Sequence, residues 1–477
     1  MGRSYHASFR LTAVALLLAA AMAPRAAASG FQLRDQSGSG QGDAYAGITA
    51  GGSDISSMFF NPAAMGRFEG NRLQVGGTFI DPTSKFSGGS ASFGLGGAIP
   101  GANSTSNVAS SALIPTVYAM WSVSPDLKLG VSVNVPFGLT TNYAAGWDGR
   151  YQAVYSHLET LDIAPAIAWR PDPMWSLGFA FVARRAKAEL SQALDLGSAA
   201  AGTFAGIGAT NTVFAPGSDD GQVDVQGSSW AYGYKLGVIF EPSKTLHLGL
   251  GYQSAIRETI KGTATFTIPG NFATNLGTVA AANSENPFIG AAIGNLVAAG
   301  ANGPVSAVLH LPSTLSLGAI WDLSPTFSLA AEVAQTRWST FHELRITFSN
   351  PAAQPDNYTE ENWKDTMFWS VGGVCHPEGP WSYRAGLALD KSPVPDADRT
   401  PRIPDADRTW VSLGFGYEFN KSIGLDVGYS HLFCKDSTVN LQAGAPDPSN
   451  PAFLRGNLSG DYKNSIDILS AQLRFLF

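Results

Sequence analysis

The sequence predicts an all-β chain: a transmembrane antiparallel β-barrel of about fourteen strands, with an N-terminal plug folded inside its lumen. Three observations point there. Past Gly70, stretches of ten or more residues alternate apolar and polar, the pattern of a sheet with one apolar face. Short turns and long connections alternate strictly between those stretches, as membrane barrels arrange their two ends. Only 14% of the 477 residues are charged, well under the roughly 25% usual for soluble domains.

Residues 1–28 read as a secretory signal peptide. Arg3 and Arg10 form its positive region, Leu11 to Ala23 its apolar stretch and Ala26-Ala27-Ala28 its small-residue site, with cleavage expected before Ser29. No later stretch offers the ~18 strongly apolar residues of a spanning helix. Phe288–Val308 is uncharged, but Gly, Asn and Pro304 interrupt it.

Residues 29–70 follow as the plug. Gly and Ser deny this stretch a sustained period, yet it carries Phe31, Tyr45, Ile48, Ile55, Met58, Phe59 and Phe60. Such side chains want burial, while the glycines let the backbone turn tightly in a confined space. Asn61-Pro62 is a turn signal.

Residues 71–477 form the barrel. The clearest strand is Trp410–Asn420, with Val411, Leu413, Phe415, Tyr417 and Phe419 on one face and Ser412, Gly414, Gly416 and Glu418 on the other. Leu127–Val135 and Leu246–Gln253 repeat the pattern. Brief turns recur at Ser124-Pro125-Asp126, Pro171-Asp172-Pro173, Glu241–Lys244, Asp322–Pro325, His376–Pro380 and Asn420–Ser422. Between them lie long connections: roughly Pro82–Ala112, Thr140–Val154, Ser191–Gln222, Gly262–Pro304, Ser339–Asn362, Asp390–Asp407 and Lys435–Asp461. Six turns and seven loops give an even strand count, with both chain ends on the periplasmic side. The last strand, Ile466–Phe477, ends on an aromatic residue. In the third strand, Pro136 removes a ladder donor and Gly138 a side chain, so the strand either ends there or kinks with its pairing broken.

Chemistry is sparse. No GxSxG, HExxH, P-loop or CxxC is present, and neither a catalytic residue, a metal nor a cofactor is expected. Net charge of −7 offers nucleic acid no basic face. Cys375 and Cys434 map near opposite barrel ends and are expected unpaired, since a disulfide needs Cα atoms within ~7 Å. Pro395–Thr400 is echoed by Pro404–Thr409, an exposed-loop duplication on its plain reading. Its carboxylates suggest calcium, although Arg beside each Asp pair and the missing ligand spacing argue against it. Two apolar outer loops, Ala199–Phe214 and Phe288–Val308, suggest contact with ligand or with one another.

Ser29-Gly30-Phe31-Gln32-Leu33 and Asn61-Pro62-Ala63-Ala64 resemble the N-terminal hatch of the FadL family of outer-membrane transporters for hydrophobic compounds. Val133–Leu139 resembles that family's kinked third strand, and Ser392–Pro395 with Ile403–Arg408 a loop-to-strand element near its C-terminus. The resemblance implies a monomer in the Gram-negative outer membrane that takes up long-chain fatty acids or hydrocarbons passively. It implies gating through Gly30, Phe31, Asn61, Pro62 and Ala63, and sideways release through a wall gap at Pro136, Phe137 and Gly138. Outer-membrane lipid is the surroundings it implies, and the terminal Phe resembles the signal of the assembly machinery. A fatty-acid carboxylate favours a lumenal cation, for which Arg184, Arg185, Lys187, Arg345 and Lys364 are the candidates. At the basic positions of fatty-acid-importing members stand Leu190 and Thr359, which leaves neutral cargo open. Two rivals remain: a general porin, disfavoured by the plug, and a lipid-modifying enzyme, disfavoured by the missing Ser-His constellation.

Overall fold

The structure, a computed structural model, describes residues 30–444 and 450–477. The expected signal peptide and Ser29 lie outside the described residues. Twenty strand segments join into one closed antiparallel wall of fourteen strands. In chain order these are β1 (Arg72–Ser92), β2 (Ala112–Ser122), β3 (Leu127–Asn134, resuming as Gly138–Asn142), β4 (Tyr155–Asp172) and β5 (Trp175–Asp195). Next come β6 (Asp220–Ser243), β7 (Leu246–Gln253 and Ile256–Thr267), β8 (Gly303–Leu311 and Thr314–Ser324) and β9 (Phe327–Thr336 and Glu343–Phe348). The wall ends with β10 (Asn357–Glu360 and Thr366–Cys375), β11 (Trp381–Asp390), β12 (Arg408–Asn420), β13 (Ile423–Cys434 and Ser437–Leu441) and β14 (Asn457–Leu476). Each strand pairs with its sequence neighbour, and β1 zips to β14 along its length. No helix of the described residues is long and apolar enough to cross a membrane; the strands do the crossing.

The alternation faces as the sequence predicts. On β12, Leu413 is 60% exposed and neighbouring Ser412 1%. All six short turns close where expected. The strands run further than their apolar pattern, however: β1 reaches Ser92 and β5 reaches Asp195, well inside segments expected as loops. Their outer parts rise above the lipid-facing band. There the outward residues turn polar and the alternation fades, while the backbone ladder continues. Among the connections, α2 (Leu196–Gly206), α3 (Gly270–Ala282) and α4 (Ile289–Ala299) form a helical cap in the two apolar loops. Phe204, Phe214, Phe272, Leu276 and Val279 are buried where they meet, so these loops pack largely on each other. Phe288 and Val297 stay exposed.

One expectation about the loops needs correction. The duplicated segment is not a simple exposed loop: Arg399, Thr400, Arg402 and Asp405 are buried. Each copy closes its own ion pair, Asp396–Arg399 at 2.8 Å and Asp405–Arg408 at 2.6 Å. Asp396 and Asp405 are thus engaged by arginines of their own copy, and no metal-holding cluster occurs among the described residues. Both cysteines are free thiols; Cys375 ends β10 beside its periplasmic turn, whereas Cys434 lies about midway up the wall rather than at its opposite end.

The plug fills the lumen as a hatch. Helix α1 (Gly38–Gly42) is capped by Ser37, whose Oγ accepts from Gly40 N at 3.0 Å. Three short 3-10 helices follow at Ile48–Ala50, Ile55–Phe59 and Pro62–Arg67. The barrel wall is bare where this backbone touches it. A Cβ on Gly414 would stand 2.6 Å from Gly42 Cα, and one on Gly237 would land on Asn61 Oδ1. Only glycine admits such an approach. Polar bolts complete the seat: Gly38 N donates to Gln472 Oε1 at 2.7 Å, and Lys235 Nζ to the Phe59 carbonyl at 2.8 Å.

Candidate functional site

The wall is broken at β3. Between its two segments, Val135–Phe137 leave the ladder. β3 pairs with β2 only from Ser122↔Lys128 to Val117↔Val133. Beyond that point Ala112–Thr116 of β2 pairs with β1 alone among the strands. Pro136 supplies the physical reason, having no N–H to donate. The hatch fills the broken pairing from inside. Leu33 N donates to Pro136 O at 2.8 Å, Gly138 N to Phe31 O at 3.1 Å, and Gln36 Nε2 to Val135 O at 2.8 Å. Gln32 thus lies opposite Phe137 as an isolated antiparallel bridge.

Two cavities meet at this point. The larger, about 500 Å³, is lined by Leu33, Ile80, Ile114, Val135, Trp410 and Leu432, and reaches Leu113 and Pro115 at the unpaired edge of β2. The smaller, about 90 Å³, lies among Leu139, Leu158, Leu190, Ile260, Leu309 and Ile346. Phe31, Leu139 and Ile403 line both, so the Phe31 ring forms part of the partition. That ring is 4% exposed and sits edge-on to Trp338 (centroids 4.9 Å apart), with Trp363 at 5.4 Å and Phe137 at 6.0 Å. Gly30 is clamped beside it: its N–H donates to Asp405 Oδ2 at 2.9 Å, and its carbonyl accepts from Arg408 at 3.2 Å.

The second copy of the duplicated loop therefore holds the hatch terminus, and the chain between the copies brings a cation to the small cavity. Arg402 is buried, and its guanidinium bonds only neutral acceptors, chief among them Gln192 Oε1 at 2.8 Å and Ser156 Oγ at 3.0 Å. Glu361 lines the same cavity, 2% exposed, accepting from Trp363 Nε1 at 2.9 Å. Burial pushes its carboxyl up to about 8, so at neutral pH it is largely protonated. The apolar cavity accordingly ends in one cation that no ionised carboxylate neutralises.

The cations predicted from sequence lie elsewhere. Arg184 does face the lumen, but it is bidentate to Asp162 at 2.6 and 2.7 Å and stands over the Phe137 ring. It braces the break rather than offering a free charge. Arg185 and Lys187 are turned outward and exposed. The parity of Leu177, Phe179 and Phe181 on β5 assigns odd numbers to the outer face, and that signal was available in the sequence. Arg345 is tied to Glu343 and Asp356 on the outer hairpin, and Lys364 is exposed beside Pro393. Leu190 lines the small cavity, while Thr359 accepts from Arg455 at 3.0 Å. Arg402 and Glu361 gave no sequence signal, because a lone charge in a loop reads as solvated.

Asn61-Pro62-Ala63 lies at the far end of the hatch. The Asn61 amide donates to Thr49 O at 2.7 Å and across to Val238 O at 3.1 Å, while its Oδ1 accepts from Ala63 N at 3.0 Å. Pro62 opens the last 3-10 turn at a position where its missing donor costs nothing.

The family model described as outer membrane protein transport protein (OMPP1/FadL/TodX) matches residues 19–477. A long-chain fatty acid transport protein of Escherichia coli O6:H1 is 30% identical, over 88% of this chain and 91% of its own length. Its counterpart in Salmonella typhi is 29% identical over 90% and 93%. The solved structure of a Pseudomonas aeruginosa FadL homologue superposes with a TM-score of 0.80 at 24% identity, covering 94% of this chain and 100% of that one. The Pseudomonas putida toluene transporter TodX gives 0.60 at 15% identity, over 92% and 99%.

Proposed function

Because the chain belongs to the OMPP1/FadL/TodX family of outer membrane transport proteins, we propose that this outer-membrane barrel admits long-chain monocarboxylates by passive diffusion. The observation that carries the substrate class is the apolar cavity ending at Arg402. The fatty acid lays its tail along Leu158, Leu190 and Ile260 and its carboxylate at the guanidinium. The tail meets the Phe31 ring and displaces residues 30–33 from the β3 break, which joins the two cavities. From the larger one the chain leaves through the unpaired edge of β2 into the membrane, driven by its own gradient.

Replacing Arg402 by Gln is expected to lower oleate uptake about tenfold, the value of one charge-assisted hydrogen bond. Uptake of a neutral alkane should not change. Measuring both cargoes in cells lacking other importers of this family tests the reading. Equal loss of both would refute the carboxylate role, and alkane uptake without oleate uptake in the parent protein would favour the neutral-hydrocarbon alternative that the aromatic cluster around Phe31 suits.

The site also sets a pH dependence. Arg402, Arg455 and Asp398 are the charged groups whose fields reach Glu361. A bound carboxylate disfavours the ionised form of Glu361, so binding above its folded pKa takes up a proton. Oleate affinity is therefore expected to stay level between about pH 6, where the cargo carboxylate is ionised, and pH 8. It should fall by up to about tenfold between pH 8 and 9, below the range near 10 to which burial lowers Arg402 itself. Glu361→Gln should remove the fall. A decline that persists in this variant, followed by tryptophan quenching on titration with oleate, would exclude Glu361 as its source.

A further inference from the structure

The outward turn of Arg185 and Lys187 creates a second feature, independent of the transport path. On the outer surface, Lys187 of β5 stands in register with Ser228 of β6, and Ser228 with Lys261 of β7. Arg185 stands in register with Trp230 one step nearer the membrane, and Arg257 occupies the outer face of β7 below Lys261. All four cations are exposed. The carboxylate directly across from Lys187, Glu159, turns instead toward His157 at 3.6 Å. Glu189 is the other outward acid of this region on β5, and none of the four cations forms an ion pair among the described residues.

Height in the membrane decides what such a cluster meets. The outward side chains of β5 below Arg185 are Trp175, Leu177, Phe179, Phe181 and Ala183. Ten residues at about 3.3 Å each, tilted about 40°, rise about 25 Å, the height of the apolar band of such barrels. Arg185 thus stands at the upper margin of that band, beside Trp230 and Tyr232, which are 55% and 65% exposed. The short turns, with the start of β1 and the end of β14 beside them, mark the periplasmic side, so this margin is the outer leaflet.

The structure assigns this patch to a phosphorylated glycolipid: the bisphosphorylated, acylated glucosamine disaccharide that anchors lipopolysaccharide in the outer leaflet. Its phosphates lie against Arg185, Lys187, Arg257 and Lys261, and its sugar against the Trp230 and Tyr232 rings. Its acyl chains run down Phe179 and Phe181. Charge complementarity and the position at the lipid margin select this occupant. A soluble anion would leave the two large exposed aromatic faces without a role.

Native mass spectrometry of the detergent-extracted protein, titrated with lipid A, tests the assignment. Bisphosphorylated lipid A should remain bound as a single adduct, with enzymatically dephosphorylated lipid A at least tenfold weaker on the same protein. The combined variant R185S/K187S/R257S/K261S should lose about tenfold in retention, whereas K421S, on a periplasmic turn, should lose none. Equal retention of the dephosphorylated lipid overturns the proposal, as does displacement by phosphatidylglycerol at equal concentration. The lipid-side comparison uses the unchanged protein, so it decides the matter even if the fourfold variant assembles poorly.

Discussion

A disulfide between Gln32→Cys and Phe137→Cys is expected to reduce oleate uptake to the level of cells without the protein, and reductant should restore it. The two residues form the isolated bridge between hatch and broken strand. Bonds from Leu33 N to Pro136 O and from Gly138 N to Phe31 O flank them, which makes theirs a non-hydrogen-bonded pair. Cα atoms in such pairs lie about 4.5 Å apart, within the range disulfides adopt. Oxidation would pin residues 30–33 in the gap and hold Phe31 between the cavities. Cys375 and Cys434 should first be changed to Ser, since both are free and Cys434 lines the larger cavity. Truncating Phe137 removes packing in both redox states, so the difference between them isolates the lock. Unchanged uptake after verified oxidation would mean that cargo does not pass where the hatch meets β3.

The second large effect is expected from Gly237→Val. The new side chain would occupy the space of Asn61 Oδ1. That atom accepts from Ala63 N, and the same amide holds Thr49 O and Val238 O. Overpacking costs about 1–3 kcal/mol, and each lost buried hydrogen bond about 1 kcal/mol more. The fourteen-strand wall does not depend on this contact, whereas the end of the hatch does. The variant should still migrate as a folded barrel in unheated gels, while entry of a bulky hydrophilic antibiotic rises about tenfold or more. Gly77→Val is the control, because its Cβ would meet only Leu113 Cδ1 at 3.5 Å and Ile114 O at 3.9 Å, both ordinary contacts. If Gly237→Val stays as impermeable as the parent, the glycine wall is not what seats the hatch.

Much of the architecture was legible because the membrane imposes it. Alternation on β12 and the six proline- and glycine-marked turns follow from a wall with lipid on one side. Phe31 and Asn61-Pro62 marked the hatch because buried aromatics and a turn signal stood in a stretch too irregular for a strand. Arg184 faces the lumen, but its partner Asp162 lies on the adjacent strand and is matched by register, which the sequence does not print. Arg402 was invisible for a related reason: its loop folds inward only because the hatch terminus and β4 offer it acceptors, and those contacts join residues more than two hundred positions apart. The wall glycines looked like a plain water-facing side until the hatch backbone was seen against them.

The seam between β1 and β14 carries a consequence for biogenesis. Gly38 and Asp54 of the hatch both bond Gln472, which belongs to the last strand made. Until that strand arrives, the cork has no finished socket. A chain shortened by its final strand would therefore expose residues 30–70 to periplasmic proteases while every earlier hairpin remained free to form.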